Sequence, residues 1–266
     1  MLPAVYICGR PIAMYGLCIV CGALSAGLVA LALGRRCALA GEDIVLCGLY
    51  LAVGGVIGGK LLYLLAHLQQ LLQALRAWPG RPELLLSLLQ GGFLFFGGLA
   101  GGLFMFWRYC SAYRVDMGKM ARCIIPVAPL VQAWGRVGCF CAGCCYGIPW
   151  DGPLAVSYSL SPVAPLGQAL FPVQLVSAGL NLLLCAALLL YVSPRPQLSP
   201  RRLALLYVAV YCLGRLVLDF WRGDHTDRTL LDLTWAQWAC LLILPAILII
   251  MKNERAKSKG DLGTSD

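Results

Sequence analysis

Seven apolar stretches set the limits on what this chain can fold into. They lie near residues 12–33, 44–67, 90–108, 121–138, 172–192, 203–221 and 234–251. Each is long enough, or nearly so, to cross a hydrocarbon core that needs about 20 helical residues. In lipid every backbone donor and acceptor must find its partner within the protein, so segments of this kind are helices. Composition agrees: 60% of residues are hydrophobic and 12% charged, against about 45–50% and about 25% in soluble domains. The expected fold class is an all-α integral membrane protein of about seven transmembrane helices. Residues 1–251 form a single transmembrane domain in this reading, and 252–266 form a short, charged, disordered cytoplasmic tail.

Lysine and arginine orient the spans. With the N-terminus outside, the inside segments collect Arg35 and Arg36, the group from Arg108 to Arg122, Arg195 with Arg201 and Arg202, and the lysines of the tail, which is most of the 21 basic residues. That excess predicts N-terminus out and C-terminus in. It also accounts for much of the +9 net charge. A nucleic-acid partner is not expected, because no basic patch is interleaved with aromatics for stacking. The first apolar run lacks a charged leader and is about as long as a full span, so it reads as a helix and not as a cleaved signal. Between spans two and three, residues 67–90 place leucines at helical spacing around Trp78 and Pro79, the pattern of an arm lying on the bilayer.

Charges inside apolar runs mark function. In the sixth span Arg215, Asp219 and Arg222 fall at i, i+4 and i+7, one face of a helix. Asp219 offsets one arginine and leaves the other in surplus, while Arg136, at a similar outer depth, adds a further cation. A phosphate group fits such a seat, because guanidinium forks pair with it bidentately. The alternative is a salt-bridge clamp between helices with no ligand. Lys60 follows two glycine pairs low in span two and has a choice between snorkelling outward and serving a site. Gly91-Gly92, Gly97-Gly98 and Gly101-Gly102 in the third span suit either close helix packing or a backbone that opens onto a lipid cavity. Tyr15, followed by Gly16, is an interfacial aromatic.

Cysteines are abundant, 14 in all. Most are scattered through the apolar runs and read as small packing residues. Cys139, Cys141, Cys144 and Cys145 are different, for they cluster where an apolar run meets a loop and include the Cys-x-x-Cys pair Cys141 and Cys144. Structural disulfides or plain packing, a redox-active pair, and a soft-metal site all remain open for this group.

Taken together these motifs resemble the prolipoprotein diacylglyceryl transferase family over roughly residues 11–251. Tyr15-Gly16 resembles its early Tyr-Gly, and Gly59-Lys60-Leu61 its Gly-Arg-Leu. Gln90-Gly91-Gly92 and Gly97-Gly98 resemble the halves of its Gly-Gly…His-Gly-Gly segment. Gly135-Arg136-Val137-Gly138 with Gly143 and Gly147 resembles its signature GRxGNFxNxExxG. Pro172-Val173-Gln174-Leu175 resembles its Pro-Ser-Gln-Leu, and Arg215, Asp219 and Arg222 its late Arg-x3-Glu-x2-Arg. Thr234-Trp235-Ala236-Gln237 resembles the start of its last span. The departures fall on one side of the site. Phe96 stands where the family has histidine, and Cys139, Ala142 and Cys144 stand for two asparagines and a glutamate.

The resemblance implies transfer of a diacylglyceryl group from phosphatidylglycerol to the thiol of a lipobox cysteine in a prolipoprotein, in the bacterial plasma membrane, with no cofactor and no metal. It assigns Arg136, Arg215 and Tyr15 to catalysis, and Arg136 again with Gly138, Gly143, Gly147, Arg222, Asp219, Gly97, Gly98 and Gln174 to substrate binding. Phenylalanine at 96 cannot serve as a base, so either nearby cations lower the acceptor thiol's pKa without a dedicated base, or Tyr15 or the loop residue His225 supplies one. Two other functions stay in view: a membrane thiol-disulfide oxidoreductase using Cys141 and Cys144, and a lipid-binding or transport protein on the same scaffold.

Overall fold

The computed structural model describes residues 4–7, 10–161, 163–193, 198–224 and 230–262; Cys8 and His225 lie outside them. The chain opens on an antiparallel hairpin of β1 (Ala4–Ile7) and β2 (Arg10–Ala13), in which Val5 pairs with Ile12. Helices follow: α1 (Met14–Arg36), α2 (Gly41–Ala66), α3 (Leu68–Arg76), α4 (Pro82–Gln90), α5 (Phe95–Tyr113), α6 (Met117–Ile124), α7 (Ala128–Ala142), α8 (Val173–Val192), α9 (Pro200–Asp219) and α10 (Trp235–Leu262). A 3-10 turn at Ile125–Val127 joins α6 to α7. The fold is an all-α membrane protein, as its apolar runs require.

Five helical stretches are long and apolar enough to cross a membrane: α1, α2, the run Met117–Ala142, α8, and α10 as far as Asn253. The pair α4 and α5, bent by 72°, adds a sixth if it is one span. Length and composition alone thus account for five or six of the seven expected spans. The helix that drops out is α9, which carries Arg201, Arg202, Arg215 and Asp219. The arm expected over 67–90 is two short helices, α3 and α4, joined by a turn. Past Met251, where the charged tail begins, α10 continues to Leu262.

The described residues cluster into two compact units, Ala38–Met120 and Met1–Cys37 with Ala121–Asp266. In the first, α2 lies against α5 through glycines spaced four apart. A methyl group on Gly54 would come within 2.5 Å of the Gly101 carbonyl oxygen, and one on Gly58 within 2.9 Å of the Gly101 Cα. Two helices meet backbone to backbone only where side chains are absent. Gly97 belongs to the same seam, facing the Gly58 carbonyl, and Gly98 faces the Phe93 ring. Lys60 reaches from α2 to the C-terminal end of α4, where its ammonium donates to the carbonyls of Leu88 at 2.8 Å and Gly91 at 2.5 Å. A cation there satisfies acceptors that have no partner within the helix and complements the helix dipole. Asp43, in the first turn of α2, accepts a 2.8 Å hydrogen bond from the Tyr109 hydroxyl of α5.

In the second unit α1 packs on α7, α7 on α8, α8 on α9 and α9 on α10. Gly22 admits the Trp134 side chain, and Gly138 admits the Tyr15 ring and Cys18. Leu184, Leu188, Val192 and Leu203 form the buried seam between α8 and α9. On the outer faces Leu28 of α1, Leu190 of α8 and Leu242 of α10 are 70%, 76% and 73% exposed. Leucines exposed at that level on several helices suit a hydrocarbon solvent and would be costly in water.

Candidate active site

The site grows from the C-terminal end of α7. That helix ends at Ala142, and Gly143 follows with φ +73, the left-handed turn that glycine adopts most readily. The turn sends the chain back on itself, so that the Cys144 amide donates to the Cys139 carbonyl at 3.1 Å. Cys145 then takes φ 54, uncommon for a residue with a Cβ. The result brings the sulfurs of Cys139, Cys144 and Cys145 within 4.8 Å of one another.

The loop from 143 to 172 is ordered by its own core of Tyr158, Ala164 and Leu170. Gln174, buried in the first turn of α8, pins it by donating to the Cys144 carbonyl and to the Tyr158 hydroxyl, each at 3.0 Å. Burial pushes the Tyr158 phenol up to about 12, so it stays neutral and can accept that bond. Gly147 bridges to Arg222, and the amides of Ile148 and Gly223 donate to the carbonyls of Trp221 and Tyr146 at 3.1 and 2.9 Å. A side chain on Gly223 would strike the Gly147 carbonyl at 2.6 Å. The glycines thus let the loop lock down on the residues following α9, and this fixes the position of Arg222.

Arg215, on α9, reaches Asp219 at 3.1 Å, and Arg222 reaches the same carboxylate at 3.7 Å. Asp219 is fully buried and also accepts a 2.7 Å hydrogen bond from the Thr234 hydroxyl. Gln237 completes the support: its side-chain oxygen accepts from the Thr234 amide, and its amide nitrogen donates to the Leu216 carbonyl. Arg222 is held a second time, bidentately, by Asp224 at 2.9 and 2.7 Å. Arg136, one turn before Cys139 on α7, makes no ion pair among the described residues.

A cavity of about 730 Å³ lies between α7, α8 and α9. Its walls run along α8 from Val173 to Tyr191 and along α9 from Leu206 to Leu218, and most of its lining is apolar. At about 1.5 Å per residue the α8 wall alone is comparable to the thickness of a hydrocarbon core. Arg136, Arg215 and Arg222 all line this one cavity, at the end where α8 begins and α9 finishes. Among the described residues, three guanidiniums here meet two carboxylates, Asp219 and Asp224, which leaves net positive charge facing an apolar space. Ser177 and Asn181 of α8, buried and polar, also line it.

The structure thus brings Arg136, Arg215 and Arg222 together on the cavity, with Asp219 behind them. Tyr15, exposed in the first turn of α1, lays its ring against Gly138 of α7, within electrostatic reach of Arg136 and the three sulfurs. Gly138, Gly143, Gly147 and Gln174 shape the α7 end and the loop. Gly97 and Gly98 sit in the α2–α5 contact of the other unit. Cys141 is not part of the sulfur group: its thiol contacts Cys18 of α1. The Cys-x-x-Cys spacing therefore does not translate into a facing pair. Within the group the Cys139 and Cys144 thiols, as hydrogen-bonding neighbours, hold the Cys145 thiol below the usual thiol range. The charges of Arg222 and Arg136 act in the same direction against burial. Sequence reasoning missed Asp224, Tyr158, Ser177 and Asn181. For Asp224 a signal existed, an acid two residues after the arginine it pairs with.

A multi-pass membrane protein with a lipid-sized apolar cavity closed at one end by arginines is the class of protein that handles an anionic lipid. Comparison makes the class specific: residues 3–252 match the family model for prolipoprotein diacylglyceryl transferase, and the chain belongs to that family. It is similar to the phosphatidylglycerol–prolipoprotein diacylglyceryl transferase of Clostridium tetani, 38% identical over 172 residues that make up 65% of each chain. Transferase 2 of Clostridium perfringens is 25% identical over 97% of this chain and 96% of its own length. The transferase of Hydrogenovibrio crunogenus is 29% identical over 75% of this chain and 72% of its own.

Proposed function

We propose that this chain transfers the diacylglyceryl group of phosphatidylglycerol to a cysteine thiol of a prolipoprotein, at the lipobox, in a bacterial inner membrane. The observation that carries this reading is the convergence of Arg136, Arg215 and Arg222 at one end of an apolar cavity between α7, α8 and α9. The lipid tails occupy the apolar walls and the phosphodiester meets the guanidiniums. Among the described residues Arg136 has no carboxylate partner, and it takes the phosphate directly. Arg215 and Arg222, tethered by Asp219 and Asp224, supply a fixed positive field.

The reaction is a displacement at the glycerol carbon that bears the phosphodiester oxygen. The acceptor sulfur forms a bond to that carbon, the carbon–oxygen bond breaks, and the electron pair leaves with the phosphate as glycerol phosphate. Charge grows on the leaving phosphate, and preorganised guanidiniums in a water-poor site stabilise it where it develops. Tyr15, within electrostatic reach of Arg136, is assigned to the acceptor side of the site.

The test is replacement in a host depleted of its own transferase. Expression of this chain is expected to restore prolipoprotein maturation, and the Arg136→Ala variant, present at equal level in the membrane, is expected to fail. Maturation that survives Arg136→Ala, or is absent with the unaltered chain folded in the membrane, would overturn the reading.

A further inference from the structure

The three sulfurs at the end of α7 are unused by the arginine cavity. They are half-buried, all within 4.8 Å of one another, and none is in a disulfide. Three sulfur ligands on tetrahedral zinc, with bonds of about 2.3 Å, lie about 3.8 Å apart. The observed spacing therefore needs a contraction of at most about 1 Å to enclose such an ion. The cage is preset by the backbone: Gly143 makes the turn, the Cys144 amide is bonded to the Cys139 carbonyl, and Gln174 fixes the Cys144 carbonyl. The donors are all soft thiols, which select zinc over the hard cations magnesium and calcium. Three protein ligands, with no fourth among the described residues, leave the open coordination position that distinguishes a catalytic zinc from a structural one.

The location gives that position a purpose. Arg136 lies one helical turn before Cys139 and lines the cavity, and Gly147, two residues after Cys145, is bridged to Arg222. Tyr15 borders both groups. A ligand in the fourth position would sit beside the cations that hold the lipid phosphate. The reaction proposed above needs a thiolate, and Phe96 cannot supply a base.

We propose that Cys139, Cys144 and Cys145 bind a zinc ion whose open position takes the acceptor cysteine thiol and activates it as a zinc-bound thiolate. This rests on the transferase reading of the adjoining cavity. The acceptor thiol gives its proton to water on coordination, since a thiol bound to zinc is deprotonated outright. The bound sulfur then attacks the glycerol carbon, the carbon–sulfur bond forms, and the carbon–oxygen bond breaks with its electron pair leaving on glycerol phosphate. The thioether product is neutral and a far weaker ligand than the thiolate, so it leaves zinc and frees the position.

The experiment uses the full chain without a polyhistidine tag, in lipid nanodiscs. Bound metal is measured by mass spectrometry, and cobalt(II) is exchanged in as a spectroscopic probe. Expected are one zinc per chain, lost in Cys139→Ser, Cys144→Ser and Cys145→Ser but retained in Cys141→Ser. The cobalt form is expected to show thiolate charge-transfer and tetrahedral ligand-field bands. Those bands should shift when a lipobox peptide carrying cysteine is added without donor lipid, and stay unchanged with the serine peptide. Folded protein that binds neither zinc nor cobalt, or takes copper(I) and refuses zinc, overturns the site. Metal binding with bands indifferent to the cysteine peptide overturns the activating role. These readouts need no turnover: if the transferase reading alone failed, the zinc and its response to thiol would persist while labelled diacylglyceryl stayed on the lipid.

Discussion

Asp219 shows what single residues do here. Its buried carboxylate meets Arg215, Arg222 and Thr234, so it fixes where two of the three guanidiniums stand. Removing one partner from a buried ionic group strands the others, at a cost of about 3–5 kcal/mol. Asp219→Ala is therefore expected to destabilise the protein by about that much, read as a fall in the melting midpoint in detergent, and to abolish lipid transfer. An unchanged midpoint would mean that the arginines are positioned by something else. Arg136 is the opposite case, because no carboxylate among the described residues depends on it. Arg136→Lys keeps the charge and loses the planar fork, so it should leave the midpoint intact and lower kcat/KM for transfer by about 100-fold, the scale of one lost transition-state donor. The arginines were legible in the sequence because a charge in an apolar run stands out and Arg215, Asp219 and Arg222 share helical spacing. Their supports were not. Tyr158 and Gln174 meet across a return of the chain through a loop of irregular backbone, and no periodicity encodes that meeting.

The element scale is governed by how closely helices approach. Gly54, Gly58, Gly97 and Gly101 let α2 and α5 touch along their backbones. Adding a methyl at Gly58 forces it against the Gly97 carbonyl and the Gly101 Cα, neither of which can rotate away. Gly58→Ala is expected to cost about 1–3 kcal/mol from overpacking, although alanine is the better helix former. Gly48→Ala, on the same helix with open space around it, should be neutral or slightly stabilising. Thermal unfolding of the two variants side by side checks this, and equal midpoints would show that the α2–α5 seam is looser than described. The sequence offered two meanings for the glycines of the third span, close packing or an opened backbone, and only tertiary contact separates them. Helix order, by contrast, follows from apolar runs and their breaks, since Pro and Gly fall near the turns between α3, α4 and α5. Composition alone does not place α9, since a charged helix is judged by its partners.

At the scale of the whole molecule, the number of crossings turns on that same helix. Five spans and the bent pair make six, an even number that would return both termini to one side; α9 makes a seventh and separates them. The charges that disqualify α9 by composition are answered inside the protein: Arg215 by Asp219, and Asp219 by Thr234 at the start of α10. Paired in this way they can enter a bilayer that would reject them singly. A cytoplasmic C-terminus is therefore expected: a fluorescent protein fused there should glow and a periplasm-dependent phosphatase should stay inactive, and the reverse result would remove either α9 or the bent pair from the membrane. With α9 in the membrane its cavity wall faces lipid, and Gly214, next to Arg215, lies on that wall with nothing within 4 Å of where a Cβ would be. A Cβ there meets no protein atom, and a larger side chain enters the space assigned to the donor lipid. Gly214→Phe is therefore expected to leave the melting midpoint unchanged or raise it, since glycine inside a helix costs about 1 kcal/mol. The same variant should lower kcat/KM for diacylglyceryl transfer at least about tenfold, a penalty of about 1.4 kcal/mol. Stability falling together with activity would mean that the space is closed by packing in the membrane, whereas intact stability with full activity would place the lipid elsewhere.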